Sequence, residues 1–590
     1  MSTRTVPIDV SSPQTQTPAP ELVKRTPRPH SVTALRTGFW IVGLLLAAVQ
    51  AWIFRYQVST DSISYLDMSD GVLPGSDLHR LINGVWSPLY PFLLGVFRRI
   101  FSVSAPNEIV AAHLLNIVFF IFAFVCFEFF LSVAIRKFAI PDEVSVEESA
   151  FLPIPAWAYL SLAYAGFLWA SIAEISVRNL RPDMLMSGLV YLAVGMLVRM
   201  QGRVARWSDY FLLGTILGIG FLAKEPLLPI GLLVLAATLF LVENWRPALK
   251  MAAASLALVF LIGSLYFVPL SRARGHFTLG ESGAFNYLVH VNRARPVWYL
   301  QSVGTGRGSF VHSPEKIFSS PPAYVFSQAS TVTHPIRFDP SEWVIGARPR
   351  FILKRQIIEL IPSLRNLAAL LLELEGLVLA ALALAYPLWR KGQLRAALAR
   401  TWPIWMIGLA GCALYVPVHV ESRYVAEFLV LILLGIILGF RIPQNVDRRT
   451  VLVFTMAVVA SLLLPLAART YVKYFENGWK PNADAQAAAE LGKLGIGPGD
   501  KVARICANGD LGVERVARIQ VAAEVDLQHV LEFWSAPLTT QQEILNLFAS
   551  RGARAVIAIP PTKGLQNNSE WIHLGSTRYW LWLPGRNRPA

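Results

Sequence analysis

The sequence is short of charge and of cysteine. Of its 590 residues only 15% are Asp, Glu, Lys or Arg, while 54% are hydrophobic and the mean hydropathy is +0.47. A soluble fold of this length needs a more charged surface, so composition points to a polytopic membrane protein. The three cysteines, Cys126, Cys412 and Cys506, are scattered, the first two inside apolar runs, and this excludes a disulfide framework or a CxxC metal site. No HExxH or paired-histidine spacing occurs. Internal repeats are also lacking, which counts against a transporter built from repeated halves. Acidic residues are outnumbered, 38 against 53 Lys and Arg, for a formal charge of +15. The basic surplus falls in short clusters between apolar runs, a pattern of membrane orientation that argues against a nucleic-acid partner.

Residues 1–35 are rich in Ser, Thr, Pro and Gln, carry Lys24, Arg25 and Arg28, and are expected to form a disordered cytoplasmic tail. The run at 38–54 has no convincing cleavage site and reads as an uncleaved first span. Further runs of spanning length lie near 109–134, 154–173, 183–199, 209–223, 226–242, 251–270, 367–389, 402–418, 424–440 and 450–468. Together they predict about eleven transmembrane helices in a mainly α membrane domain over 36–470.

With the tail inside, the clusters at Arg136/Lys137, Arg199/Arg203/Arg206, Arg246/Lys250, Arg390/Lys391/Arg395/Arg400 and Arg441/Arg448/Arg449 all fall on the cytoplasmic side. Loops 57–107 and 271–366 and the stretch 471–590 then lie outside. From about 480 the pattern turns soluble: "NADAQAAAELGKLG" and "TQQEILNLFASRG" read as helices, and "KVARIC", "ARIQVAAEV" and "ARAVIAI" as strands. The alternation predicts a small extracytoplasmic α/β domain. "GIGPGD" precedes a strand and not a helix, so it is a plain turn and not a phosphate loop.

Four outer stretches carry ionisable groups next to span ends. "STDSISYLDMSDG" holds Asp61, Asp67 and Asp70; "NLRPDMLMSG" sets Asp183 after Arg178 and Arg181; "LAKEPLLPIG" puts Lys224 and Glu225 in a short turn; "HVESRYVAEF" opens a late span with Glu421, Arg423 and Tyr424. Such groups are costly at the membrane unless paired or functional. Snorkelling, helix-end pairing and, for Asp61, a helix cap are the plain alternatives. Asp67 and Asp70 read as surface charges or helix-end acceptors. "GVWSPLYPFLLGVFRRIF" is too short to span and has the pattern of a helix lying on the outer surface.

The order and sidedness of these stretches resemble the GT-C superfamily of integral membrane glycosyltransferases, in particular bacterial enzymes similar to aminoarabinose transferases and protein O-mannosyltransferases. The matching pieces are "TDSISYLDMSDG", "WSPLYPFLLG", "RPDMLMSGL", "AKEPLLPI" and "ESRYVAEF", over residues 37–440. One position departs: Val85 and Trp86 stand where aminoarabinose transferases place a lysine thought to contact donor phosphate.

The resemblance implies a multi-pass protein of the bacterial cytoplasmic membrane that moves a sugar from a polyprenyl-phosphate donor to a lipid, glycan or protein acceptor on the outer face, with inversion. It makes Asp61 and Asp183 the candidate catalytic residues, with Asp61 as base. Tyr65, Arg80, Arg181, Lys224, Glu225, Arg423 and Tyr424 are the candidate substrate-binding residues, the cations serving the leaving phosphate. Asp183 orients Asp61 or the acceptor, or shares a divalent metal ion with His79 and Asp77; these alternatives stay open. Two other classes share the same outline, a flippase of lipid-linked sugars and a noncatalytic envelope-assembly protein.

Overall fold

The computed structural model describes residues 29–138, 151–294, 314–326, 332–344, 347–507, 511–561 and 570–585. The part of the expected tail at 1–28, with Lys24, Arg25 and Arg28, lies outside the described residues, and helix α1 (Pro29–Ile53) already occupies the remainder.

The first outer loop is ordered. Helix α2 (Thr60–Asp70) takes up the acidic stretch, followed by α3 (Leu89–Ile100), the expected amphipathic helix, which buries Tyr90, Leu94 and Arg98 and exposes Phe92 and Ile100. Then come α4 (Glu108–Phe138), strand β1 (Phe151–Pro153), α5 (Ala156–Leu168) continued by a π-helical turn over Trp169–Ile175, and α6 (Asp183–Met200). Helices α7 (Trp207–Ala223), α8 (Leu227–Leu241) and α9 (Trp245–Arg274) complete the first half.

The long outer loop holds α10 (Ser282–Asn286), strands β2 (Pro314–Ser319) and β3 (Pro322–Phe326), and α11 (Pro335–Phe338). After it run α12 (Leu353–Glu373), α13 (Glu375–Arg390), α14 (Leu394–Arg400), α15 (Trp402–Tyr415), α16 (Ser422–Gly439), strand β4 (Arg441–Pro443) and α17 (Arg448–Asn477).

Every expected apolar run is helical. Among the described residues, seven helical stretches are long and apolar enough to cross a membrane, or nine if the pairs α12/α13 and α14/α15, bent by 79° and 80°, each count as one span. Helices α7 and α8, with 17 and 15 residues, are shorter than a typical span. The count of about eleven is therefore seven to nine by length, because bends and short helices interrupt runs that are continuous in hydropathy. Close approach relies on small residues: a Cβ at Gly188 of α6 would come within 2.8 Å of the Phe122 ring on α4, and one at Gly408 of α15 within 2.6 Å of the Phe428 carbonyl oxygen on α16.

Helix ends sort into two groups. At one end Lys137 donates to the Gln201 carbonyl, Gln201 to that of Arg400 (3.2 Å) and Arg400 to that of Gly439 (2.8 Å), which gathers several basic loops. At the other, His113 of α4 bonds the Gln57 carbonyl (3.0 Å), Asn116 the carbonyls of Val177 and Asn179 (3.1 and 2.8 Å), and Arg55 that of Gly478 (2.8 Å). All the acidic and mixed motifs of the sequence lie at this second end.

The C-terminal stretch contributes α18 (Ala483–Lys493), β5 (Lys501–Cys506), α19 (Gly512–Ala517), β6 (Gln520–Val525), α20 (Val530–Ser535), α21 (Leu538–Ser550), β7 (Ala555–Ile559), β8 (Trp571–His573) and β9 (Trp580–Trp582). Parallel pairs β5–β6 and β5–β7 form the buried centre of a seven-stranded sheet ordered β2-β3-β6-β5-β7-β9-β8. Its first two strands come from the long loop, with β3 antiparallel to β6. The sheet therefore ties the long loop to the C-terminal stretch, a join that two short strands in a basic, polar loop do not advertise. "GIGPGD" is a turn leading into β5, with Gly495 and Gly499 at φ of 76° and 86°.

Arg274, at the end of α9, anchors the long loop. Its guanidinium reaches Asp339 (2.5 Å), Ser341 (2.8 Å) and Glu281 (3.2 Å), and Asp339 also accepts from the Gly84 amide of the first loop (2.7 Å). Nearby Glu342 is pushed up to about 8 by burial and by Asp339, against the pull of Arg274. A carboxyl raised this way keeps its proton in the folded chain where the unfolded chain has lost it, so stability falls as pH rises from the ordinary glutamate range through about 8. Glu342→Gln removes that slope. Its midpoint of thermal unfolding in detergent is expected to gain on the parent's between pH 5.5 and pH 8.5; a gap independent of pH counts against the assignment.

Candidate active site

The site forms where α2, α6, α16 and the α7–α8 turn meet. Ser59 caps α2, its hydroxyl accepting from the Ser62 amide, so Asp61 is not the cap and sits in the first turn. Residues four apart share a helix face, so Asp61 and Tyr65 point the same way. Asp183 opens α6 directly after Pro182, whose fixed φ suits a helix start. Lys224 ends α7 in the turn before Pro226, and Arg423 and Tyr424 open α16.

Asp183 is buried and fully engaged: Oδ1 accepts from Lys224 Nζ (2.5 Å) and Oδ2 from Arg423 Nη1 (3.0 Å). Arg423 also donates to Glu421 (2.6 Å) and to the Tyr424 hydroxyl (2.8 Å). The Tyr424 ring lies under both cations, 4.2 Å from Lys224 Nζ and 4.4 Å from the Arg423 guanidinium carbon, and stacks on Tyr415 at 5.1 Å. Glu421, just outside the span, is held below the usual range by Arg423 despite its burial.

Asp61 differs from Asp183. Its side chain is 31% exposed, and Arg181 Nη2 holds only Oδ2, at 2.9 Å. Tyr65 is within electrostatic reach of both carboxylates: burial pushes its hydroxyl well above the ordinary value, and Asp183 and Asp61 both add to the push. Tyr65 packs against Tyr90 (5.2 Å) and Trp86 (5.3 Å), so Trp86, where the resemblance calls for lysine nearby, supplies an aromatic wall.

Arg178 stands beside Arg181, close enough for mutual repulsion, with its guanidinium 5.2 Å from the Phe54 ring. It lines a cleft of about 390 Å³ between the ends of α1 and α17, together with Lys473, Lys480, Phe54 and Tyr56.

The fold thus brings together Asp61, Tyr65, Arg181, Asp183, Lys224, Arg423 and Tyr424. Arg80 and Glu225 lie elsewhere. Arg80 is 3.9 Å from Asp70, on the far side of α2. Glu225 accepts from the Tyr266 hydroxyl (3.2 Å) and the Ser282 amide (3.1 Å), fastening the start of the long loop. Asp67 and Asp70 are not surface charges: both are buried, gripped by arginines of the C-terminal stretch.

No family model matches the chain, and no curated protein matches it either. Solved structures do. ArnT from Cupriavidus metallidurans in the apo state aligns over 93% of this chain and 98% of that one, at 14% identity and TM-score 0.41. The same protein bound to undecaprenyl phosphate gives 13% identity and TM-score 0.42 over the same shares. The Archaeoglobus fulgidus oligosaccharyltransferase in the apo form gives 11% and 0.43, over 88% of this chain and 69% of that one.

Sequence reasoning missed several neighbours of the site. Glu427, one turn beyond Arg423 on α16, is buried, and its Oε2 has no hydrogen-bond partner among the described residues. An acid inside the run "YVAEFLVLILLG" is itself the signal, since a carboxyl in an apolar span is costly without a purpose. His290, Glu359 and His419 converge from the long loop, α12 and the approach to α16, with ligand atoms within 4.8 Å of one another. Two imidazoles and a carboxylate are a donor set suited to a divalent transition metal, and burial holds His290 at about 4, neutral at physiological pH as a ligand must be. Asp77 and His79 do not join Asp183: the Asp77 carboxylate accepts from the His79 amide (2.9 Å) at an exposed turn.

Proposed function

We propose that this protein is a membrane glycosyltransferase that moves a sugar from a polyprenyl-phosphate donor to an acceptor nucleophile on the extracytoplasmic face. The observation that carries the reading is the contrast between two carboxylates in one cationic site. Asp183 is saturated by Lys224 and Arg423, while Asp61 keeps one oxygen without a protein partner among the described residues and is open to solvent. The first is suited to fixing geometry and the second to taking a proton.

A hydroxyl acceptor is a weak nucleophile at neutral pH, and Asp61 takes its proton as the oxygen attacks the anomeric carbon. The attack comes from the face opposite the leaving phosphate, which inverts the centre. The departing polyprenyl phosphate is an anion and requires cations, not a general acid. Arg181 is the first of these, and Arg178, Lys473 and Lys480 in the adjoining cleft offer a headgroup path from the membrane surface. Trp86 replaces the expected lysine with an aromatic face, so phosphate recognition shifts to these arginines. The His290–Glu359–His419 group would hold a metal that orders the start of α16, because His419 lies 3.9 Å from Glu421, the partner of Arg423. Positive clusters at the opposite end support a cytoplasmic orientation for that end.

The test is donor consumption. Purified protein in lipid is given a radiolabelled pool of polyprenyl-phosphate sugars with an envelope lipid extract as acceptor, and transfer of label is measured. Label is expected to move to the acceptor fraction. A protein that exchanges the intact donor between leaflets and leaves its sugar–phosphate bond whole is a flippase, and the proposal fails.

A further inference from the structure

A second buried ionic cluster lies on the opposite side of α2. At 100° per residue, Asp67 and Asp70 point roughly 120 to 180° away from Asp61. They face Arg515 and Arg518 at the C-terminal end of α19. Arg515 Nη1 reaches Asp67 (2.6 Å) and Asp70 (2.7 Å), Nη2 reaches Asp70 (2.8 Å), and Nε and Nη2 reach Glu108 at the start of α4 (2.7 and 2.8 Å). Arg518 reaches Asp70 (3.0 Å) and Glu108 (2.8 Å), and Arg98 of α3 also reaches both (2.8 Å each). Three carboxylates meet three guanidiniums, and all but Arg518 are nearly inaccessible.

The domain also holds α2 by a second route. Thr333 donates from its amide (3.0 Å) and hydroxyl (2.7 Å) to Asp67, and its carbonyl accepts from the Val521 amide of β6 (2.9 Å). One turn back on α2, Ser64 donates to the Arg337 carbonyl (3.1 Å).

Four of these six ionic groups lie in the first outer loop or at its border, and the two arginines that complete the balance come more than 400 residues later. A plain structural contact between domains does not require so costly a device, because buried charges return little net stability while fixing one geometry sharply. We propose that the C-terminal domain is a clamp on the Asp61-bearing helix, with Arg515 and Arg518 acting as positioning residues that hold Asp61 at the site. Without them three buried carboxylates face one another with only Arg98 and, 3.9 Å from Asp70, Arg80 to offset them, and α2 is driven off its seat. The two aspartates are shifted in opposite directions: burial raises Asp67 above its ordinary value against the pull of Arg515, whereas Asp70, despite burial, is held far below the usual range by its arginines, Arg515 first.

The effect on activity rests on the transferase reading, and the test separates the two. A Ser64→Cys reporter, 3% exposed in its native setting, is labelled with a maleimide in the full chain in lipid. Labelling is expected to be slow in the parent and in Arg551→Gln, which removes an exposed pair with Glu315 in the same domain, and at least about tenfold faster in Arg515→Gln/Arg518→Gln. Turnover in the double variant is expected to drop by at least about tenfold with donor KM within about twofold.

Unchanged labelling overturns the clamp. Raised labelling with unchanged turnover overturns the positioning role. A parent inactive on every donor sinks the transferase reading and leaves labelling to decide the clamp. If the double variant does not accumulate, Arg518→Gln alone, which leaves Arg515 in place, is expected to raise labelling about threefold, and no rise overturns the proposal.

Discussion

A chain carrying Asp61→Asn is expected to bind donor as the parent does and to transfer sugar about 10²- to 10⁴-fold more slowly, the span that a positioned general base supplies. The substitution is nearly isosteric. Its amide oxygen still accepts from Arg181, and Ser59 still caps α2, so the site keeps its shape and loses only a basic oxygen. Asp61→Glu keeps the base but moves it by about one methylene, and is expected to lose less than the asparagine variant, since misplacement of about 1 Å costs on the order of 10²-fold. Initial rates at saturating donor decide the matter. Equal rates in parent and Asp61→Asn would mean that Asp61 serves only to hold Arg181, and the base would have to be sought elsewhere.

The sequence made the site legible where its cause is local. A carboxylate after the first span, another opening α6, a lysine in a tight turn and an arginine–tyrosine pair opening α16 each stand out because charge is expensive next to apolar helices. Consistent sidedness of the basic loops then put them all at one end, where the structure brings them into contact.

What was not legible is whatever a distant partner decides. Asp67 and Asp70 look like solvated loop charges until Arg515 is brought from 445 residues away to Asp70, and Glu225 looks like a site residue until Ser282 claims it. The sheet hides for the same reason, as β2 and β3 are short strands and the pairing of β3 with β6 bridges about two hundred residues of chain. Hydropathy registers the apolar runs but not the bends of about 80° between α12 and α13 and between α14 and α15.

The counterpart of the Asp61 result is Asp183→Asn, where the expected loss falls first on stability. Asp183 lies 4% exposed between Lys224 and Arg423, and breaking a buried ionic group by removing one partner costs about 3–5 kcal/mol, since the other charge is left without compensation. The two cations are not equally stranded: Arg423 keeps Glu421 at 2.6 Å, whereas Lys224 is left with the Tyr424 ring and the distant field of Glu427. The penalty should therefore be carried mainly by Lys224. Asp183→Asn/Lys224→Met, which removes the stranded charge and fills its volume with an apolar chain, is expected to regain most of the lost thermal stability.

Regained stability separates the two roles of the group. If Asp183 only anchors the end of α6, the stable double variant transfers sugar at close to the parental rate. If Asp183 and Lys224 hold Arg423 and Tyr424 in the geometry that faces the leaving phosphate, the double variant stays folded and still fails to turn over. The second outcome is the expected one, because Tyr424 is fixed by both cations at once and loses one of its two supports whichever residue replaces Lys224.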